Sequence, residues 1–127
     1  MTPCPSNYRG SGTYGLFFIN ENASGTIIKG FTLTNTINEY DCYGILVRGA
    51  SNVQIINCTT TTTYADVIRL ENTENVTINN TISKQSYVGI NIINSTKSTI
   101  TKSKLMNNSV SGISVINSTK TTITNNT

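Results

Sequence analysis

The sequence predicts an all-β chain, a right-handed, single-stranded parallel β-helix (solenoid) of about four to five coils with 22 to 23 residues per coil. Three observations lead there. Apolar columns recur in step, each apolar segment alternates with a period of two, and Asn-rich positions sit at fixed offsets from the columns.

The frame is set by Ile55, Ile78, Ile100 and Ile123, separated by 23, 22 and 23 residues. Ten residues before each lies Ile45, Ile68, Ile90 or Ile113, and eight before each lies Val47, Leu70, Ile92 or Val115. Three independent columns keep the same unequal spacing, which a chance bias toward Ile would not do.

Within each coil the apolar positions alternate with other residues, as in YGILV, GINII and GISVI. That is the period of a strand with one face buried; a helix needs spacings of three and four. Equivalent strands recur in the same direction, so each must pair in parallel with its copy one coil on, rising about 4.8 Å per coil. Two residues after each framing Ile come Asn57, Asn80, Lys102 and Asn125, and six before come Gly49, Asn72, Asn94 and Asn117. Asn tolerates left-handed backbone and bonds to its own kind up a stack, so these columns are expected to be corner ladders.

The first coil departs from the frame. In YGLFFINENASGTIIKGFTLTNTINEYDC, Gly15 and Leu16 match Gly44 and Ile45 at a spacing of 29, and both Ile27 and Ile28 fit the framing position. An insertion near Asn38 to Cys42, forming a protruding loop, accounts for part of the excess. The expected division is an N-terminal segment, 1–13, and a β-helix over 14–127 that forms part of a longer solenoid. The chain stops in mid-coil at TTITNNT, and no amphipathic capping helix is evident at either end. A longer solenoid or end-to-end self-association, including a filament subunit, is the expectation from that.

Composition agrees. Apolar residues make up 36 % of the chain and charged ones 12 %, while 18 Asn, 22 Thr and 13 Ser supply most of the polar surface. Thr favours strands, and Asn and Ser favour turns. The net charge of +3 is not gathered into a run, which gives no footprint for nucleic acid. No apolar stretch is long enough to span a bilayer, and the N-terminus lacks the order of a signal peptide. Cys4, Cys42 and Cys58 make an odd count without metal-type spacing, consistent with one disulfide and a free thiol, and there is no His. No cofactor or metal is implied. Eight N-x-Ser/Thr sequons occur, at Asn22, Asn57, Asn75, Asn79, Asn94, Asn107, Asn117 and Asn125. Asn, Ser and Thr are so abundant that roughly five would arise by composition alone, and several sequons fall in the ladders.

The segment NVTINNT at 75–81 and the strand starts GILV, GINI and GISV resemble the parallel β-helix repeats of the pectin-lyase-like superfamily, over residues 14–127. The resemblance implies a fold shared by pectin and alginate lyases, glycoside hydrolases, epimerases, phage tailspikes and adhesin-like surface proteins. The Asn- and Thr-rich, charge-poor variety is most similar to the last group. An extracellular or cell-surface location follows, with polysaccharide or cell-surface glycan as the expected partner.

Enzymes of that superfamily need carboxylates clustered on one strand face, for Ca²⁺ or as an acid and base pair. Of the six acidic residues here, Asp66 and Glu71 sit near a strand face. Arg48 and Glu71 share an outward column on adjacent coils, and Arg69 lies two residues from Glu71. Asp66, Arg69, Glu71 and Arg48 are therefore the candidate catalytic set, with Arg as partner of a sugar acid. The competing reading is a cross-strand ion pair contributing roughly 0.2 to 1 kcal/mol, and it is preferred. Tyr14, Tyr43, Tyr64 and Tyr87 stand at the starts of successive coils, where aromatic rings stack on sugar rings or pack a corner. Thr99-Ile100-Thr101 and Thr122-Ile123-Thr124 follow the Thr-x-Thr pattern of ice-binding solenoids, but Gln54-Ile55-Ile56 and Thr77-Ile78-Asn79 break it. The leading expectation is a non-enzymatic surface module contacting carbohydrate. The alternative is a fragment of a polysaccharide lyase or glycoside hydrolase.

Overall fold

The computed structural model describes residues 14–34, 42–61 and 64–127. Each coil contributes three short strands. The first holds β1 (Tyr14–Ile19), β2 (Ile27–Lys29) and β3 (Thr32–Thr34), and the second β4 (Cys42–Arg48), β5 (Gln54–Ile56) and β6 (Thr59–Thr61). The third holds β7 (Ile68–Glu71), β8 (Thr77–Asn79) and β9 (Ile82–Lys84), and the fourth β10 (Val88–Ile93), β11 (Thr99–Thr101) and β12 (Lys104–Met106). β13 (Ser111–Ile116) and β14 (Thr122–Thr124) follow. Every strand pairs in parallel with its equivalent on the neighbouring coil. The result is three sheets, β1-β4-β7-β10-β13, β2-β5-β8-β11-β14 and β3-β6-β9-β12.

The register matches the three apolar columns. Ile45, Ile68, Ile90 and Ile113 pair in sequence, as do Val47, Leu70, Ile92 and Val115, and Ile55, Ile78, Ile100 and Ile123. From the second coil to the fourth these side chains are fully buried and form one continuous core. Ile28 is the framing residue of the first coil: it pairs with Ile55 and is buried, whereas Ile27 faces solvent. The single 22-residue interval comes from the corner before β10, where Ser83 to Ile90 takes seven residues and Leu105 to Ile113 takes eight.

The first coil corrects the expected alignment by one residue. Phe17, not Leu16, pairs with Ile45, Gly15 pairs with Tyr43, and Ile19 pairs with Val47. This register turns Phe17 and Ile19 into the core, and the opposite one would have sent both outward. Part of the excess length is a 3₁₀ turn at Glu21–Ala23, capped by the Asn20 side chain accepting from the Asn22 N–H. The expected loop near Asn38 lies outside the described residues.

Both predicted corner columns have left-handed backbone. φ is 53° at Asn57, 50° at Asn80, 52° at Lys102 and 55° at Asn125, and it is 73° at Gly49, 53° at Asn72, 49° at Asn94 and 47° at Asn117. A third such column, Asn52, Asn75, Lys97 and Lys120, escaped the sequence reading. The Asn75 amide donates to the Asn52 Oδ1 at 2.7 Å, and the Asn80 amide donates to the Asn57 Oδ1 at 2.8 Å.

Inward-facing corners use hydroxyl ladders. The Thr73 N–H donates to the Ser95 Oγ (3.1 Å) and the Ser95 N–H to the Ser118 Oγ (3.0 Å), while the Thr81 N–H donates to the Ser103 Oγ (3.2 Å). The Ser95, Ser103 and Ser118 hydroxyls in turn donate to carbonyls two residues back. A corner N–H turned into the core has no ladder carbonyl, so a small hydroxyl there avoids burying it unpaired. No helix among the described residues is long and apolar enough to cross a membrane.

Candidate functional site

The first sheet carries a charged network on its outer face, at β4, β7 and β10. Outward columns run Leu46, Arg69, Asn91, Ser114 and Arg48, Glu71, Ile93, Ile116. The alternation that sends Ile68 and Leu70 inward sends Arg69 and Glu71 outward. One coil of offset then brings Arg48 beside Glu71 and Asn91 beside Arg69.

Glu71 accepts from two guanidiniums, one oxygen from the Arg48 Nε at 2.6 Å and the other from the Arg69 Nε at 2.6 Å. Arg69 reaches on with Nη1 to the Asp66 Oδ2 at 2.9 Å, and the Asn91 amide nitrogen donates to the same oxygen at 2.9 Å. The guanidinium carbon of Arg69 stands 5.2 Å from the centroid of the buried Tyr43 ring. The chain Arg48–Glu71–Arg69–Asp66–Asn91 thus runs from solvent inward, the side-chain exposure of its carboxylates falling from 16 % at Glu71 to 6 % at Asp66.

The electrostatics follow from this bonding. Burial pushes the Glu71 carboxyl upward, but the hydrogen bonds and charges of Arg48 and Arg69 outweigh it and hold the group below its ordinary value. Burial likewise opposes the charge on Arg69, and the bonds to Glu71 and Asp66 reverse that, raising its pKa. A general acid at neutral pH needs a raised carboxyl, and Glu71 is moved the other way.

Beside this network lies a cleft of about 270 Å³, bounded by Tyr43, Tyr64 and Tyr87 and by Asp66, Arg69 and Asn91. Of the two residue sets that the sequence put forward separately, Asp66 and Arg69 meet Tyr43, Tyr64 and Tyr87 at this cleft, Glu71 and Arg48 lie outside its lining, and the side chain of Tyr14 lies outside the described part. Tyr43 is buried, whereas Tyr64 and Tyr87 keep 42 % and 45 % of their surface exposed. The tyrosines do not form one row. Tyr14 pairs with Cys42 and Tyr43 with Gly15, and the Tyr87 N–H donates to the carbonyl of Ala65, one residue past Tyr64. Their intervals in sequence, 29, 21 and 23 residues, differ from coil to coil, so standing at the starts of successive coils did not place them in one column.

Asn91 is the member the sequence reading missed. Its signal was the 22-residue offset from Arg69, hidden among so many other Asn residues. The residue is only 8 % exposed and its Oδ1 has no hydrogen-bond partner. Among the described residues no three His, Cys, Asp or Glu side chains converge as a metal site. Elsewhere, the Thr pattern on the second sheet puts Thr77, Thr99 and Thr122 in one column, and Thr101 and Thr124 in the next beside Asn79. Cys42 is disulfide-bonded and Cys58 is a buried free thiol, while Cys4 lies outside the described residues.

A family model described as right handed beta helix region matches residues 6–127. No curated protein matches the chain. Among solved structures, QnrB1, a plasmid-mediated fluoroquinolone resistance protein, aligns at 10 % identity over 90 % of this chain and 92 % of that one. Its TM-score of 0.17 carries no argument about shared fold or function.

Proposed function

The chain belongs to the right-handed β-helix family, and from that premise we propose a non-catalytic extracellular or cell-surface module that holds a saccharide in the tyrosine-lined cleft of its first sheet. The observation that carries this reading is the pairing of two half-exposed rings, Tyr64 and Tyr87, with a polar floor of Asp66, Arg69 and Asn91. Sugar sites combine an aromatic face for the ring's C–H surface with a few fixed polar groups for its hydroxyls. The disulfide at Cys42 supports an oxidising compartment, where such bonds persist.

Binding is favoured over turnover because Glu71 and Asp66 are both engaged by guanidinium. A glycan array probed with the intact chain tests the proposal. Signals on a subset of glycans, lost in Tyr87→Ala at an unchanged melting temperature, support it, and a blank array overturns it. The enzyme alternative is tested on uronate polymers: unsaturated products that vanish on changing Arg69 or Asp66 would replace the non-catalytic reading.

A further inference from the structure

A second surface, on a different sheet from the tyrosine-lined cleft and independent of it, is marked by where lysine takes the place of asparagine. Among the described residues, nine of the thirteen non-glycine positions with left-handed backbone hold Asn, and three of the other four are Lys97, Lys102 and Lys120. Their φ of 52–56° crowds a long side chain's Cβ against the carbonyl and suits Asn or Gly. A residue kept against its backbone preference points to function rather than to folding.

All three lysines stand on the corners that flank the second sheet. Lys97 and Lys120 precede β11 and β14 on adjacent coils, joined by the Lys97 N–H donating to the carbonyl of Thr119 at 3.1 Å, and Lys102 follows β11. Lys104 comes next, exposed beyond the inward-turned Ser103. From residue 75 to residue 127 the chain has five Lys and no Asp or Glu. Of these four lysines only Lys97 is paired with a carboxylate among the described residues, that of Glu74 at 2.7 Å.

Between the two lysine edges the outward side chains are hydroxyls, Thr99 and Thr101 on β11 in register with Thr122 and Thr124 on β14. Strand spacing and pleat set these four on a grid of about 4.8 by 6.7 Å. The five residues from Lys97 to Lys102 span no more than about 18 Å. Threonines and lysines enter together: two coils before β11 the same columns hold Gln54 and Ile56, with Asn52 and Asn57 at the corners.

We propose that this strip, the outer face of β11 and β14 with its lysine edges, binds an acidic polysaccharide. Ammonium groups at either edge attract the carboxylates or sulfates of the polymer. Threonine hydroxyls, which both donate and accept, bond the sugar hydroxyls between them. Duplex DNA offers the anions without those hydroxyls, and a bilayer surface calls for an apolar face that threonine does not provide.

Calorimetric titration of the intact chain with polygalacturonate, dextran sulfate and neutral dextran tests the proposal. At least one acidic polymer should bind ten-fold or more tighter than dextran, and more weakly as salt screens the exposed amines. The double variant Lys102→Asn, Lys104→Gln should lose at least ten-fold with no fall in melting temperature, since Asn suits the corner. Thr101→Val, which removes the hydroxyl and keeps the side-chain volume, should weaken binding as well, and Glu74→Gln, which removes the opposing charge beside Lys97, should tighten it. Lys29→Gln removes an exposed lysine from the same sheet three strands away from β11, about 14 Å, and should change the affinity less than two-fold. Silence with both acidic polymers, or an unchanged affinity in the double variant, would overturn the proposal. So would duplex DNA or phosphatidylserine vesicles bound more tightly than either polymer with the same lysine dependence. The saccharide reading of the cleft survives any of these results, because Tyr87→Ala reads it separately.

Discussion

Lys102 stands in a corner column whose other members, Gly30, Asn57, Asn80 and Asn125, are residues suited to positive φ. Its own φ is 52°, where a long side chain strains against the following carbonyl and loses about 1 kcal/mol relative to Asn. The neighbouring Asn80 donates its amide to Asn57 at 2.8 Å, so a further Asn one coil on extends the ladder in the same direction. The bond is exposed and its net worth is at the low end, about 0.5 kcal/mol. Lys102→Asn is therefore expected to stabilise by about 1–1.5 kcal/mol, or roughly 3–6 °C in melting temperature for a chain of this size. Thermal unfolding followed by circular dichroism reads it, with Asn80→Ala as the opposing control that loses both the backbone fit and the ladder bond. Lys102→Asn melting at or below the parent, with Asn80→Ala falling as expected, would refute the idea that backbone preference governs the column.

Ile78 is fully buried between Ile55 and Ile100, so Ile78→Ala should cost about 2–5 kcal/mol in chemical unfolding; a cost under 1 kcal/mol would mean that the core is not packed as described. A Cβ added at Gly89 would meet the carbonyl oxygen of Gly112 at 2.5 Å, backbone that cannot swing aside, so Gly89→Ala should lower the melting temperature far more than an alanine at an exposed strand site. Glu71 has a lowered pKa in the folded chain, so its contribution to stability is present above the unfolded value of about 4.3 and is lost as pH falls through the folded value. Melting temperatures of the parent and Glu71→Gln should accordingly converge on acidification below about pH 4.5, and a gap that stays constant with pH would count against the paired carboxylate.

The apolar ladder was legible because a parallel solenoid returns each environment at a fixed sequence interval, as Ile45, Ile68 and Ile90 do. A column is readable only while its residue types persist. Asn52 and Asn75 share their backbone with Lys97 and Lys120, and the change of residue hid the third corner. The inward Ser and Thr ladders kept the interval too, but hydroxyl residues are so common here that their recurrence did not stand out. Alignment of the first coil slipped because Gly15-Leu16 resembles Gly44-Ile45 in residue type, while packing demanded that Phe17 and Ile19 turn inward. Of the charged network beside the cleft, the Arg48 and Glu71 pairing could be read from the shared column. The convergence of Tyr64 and Tyr87 on the cleft could not, because it depends on corner lengths that vary by a residue.

The site therefore arises where repetition fails. Backbone geometry is nearly the same at every coil, so a change of chemistry on the outer face has to come from side chains within one column. Along Leu46, Arg69, Asn91 and Ser114 that column passes from an apolar residue through a cation to two neutral polar ones in four successive coils. Arg69 is the pivot. Its charge is neutralised by Glu71 on its own strand and by Asp66 three residues back, and Asp66 is what orients the Asn91 amide on the next coil. A regular stack fixes these neighbours rigidly on one sheet. The same rigidity holds the Asn91 amide against Asp66 and leaves its Oδ1 buried without a partner within the described structure.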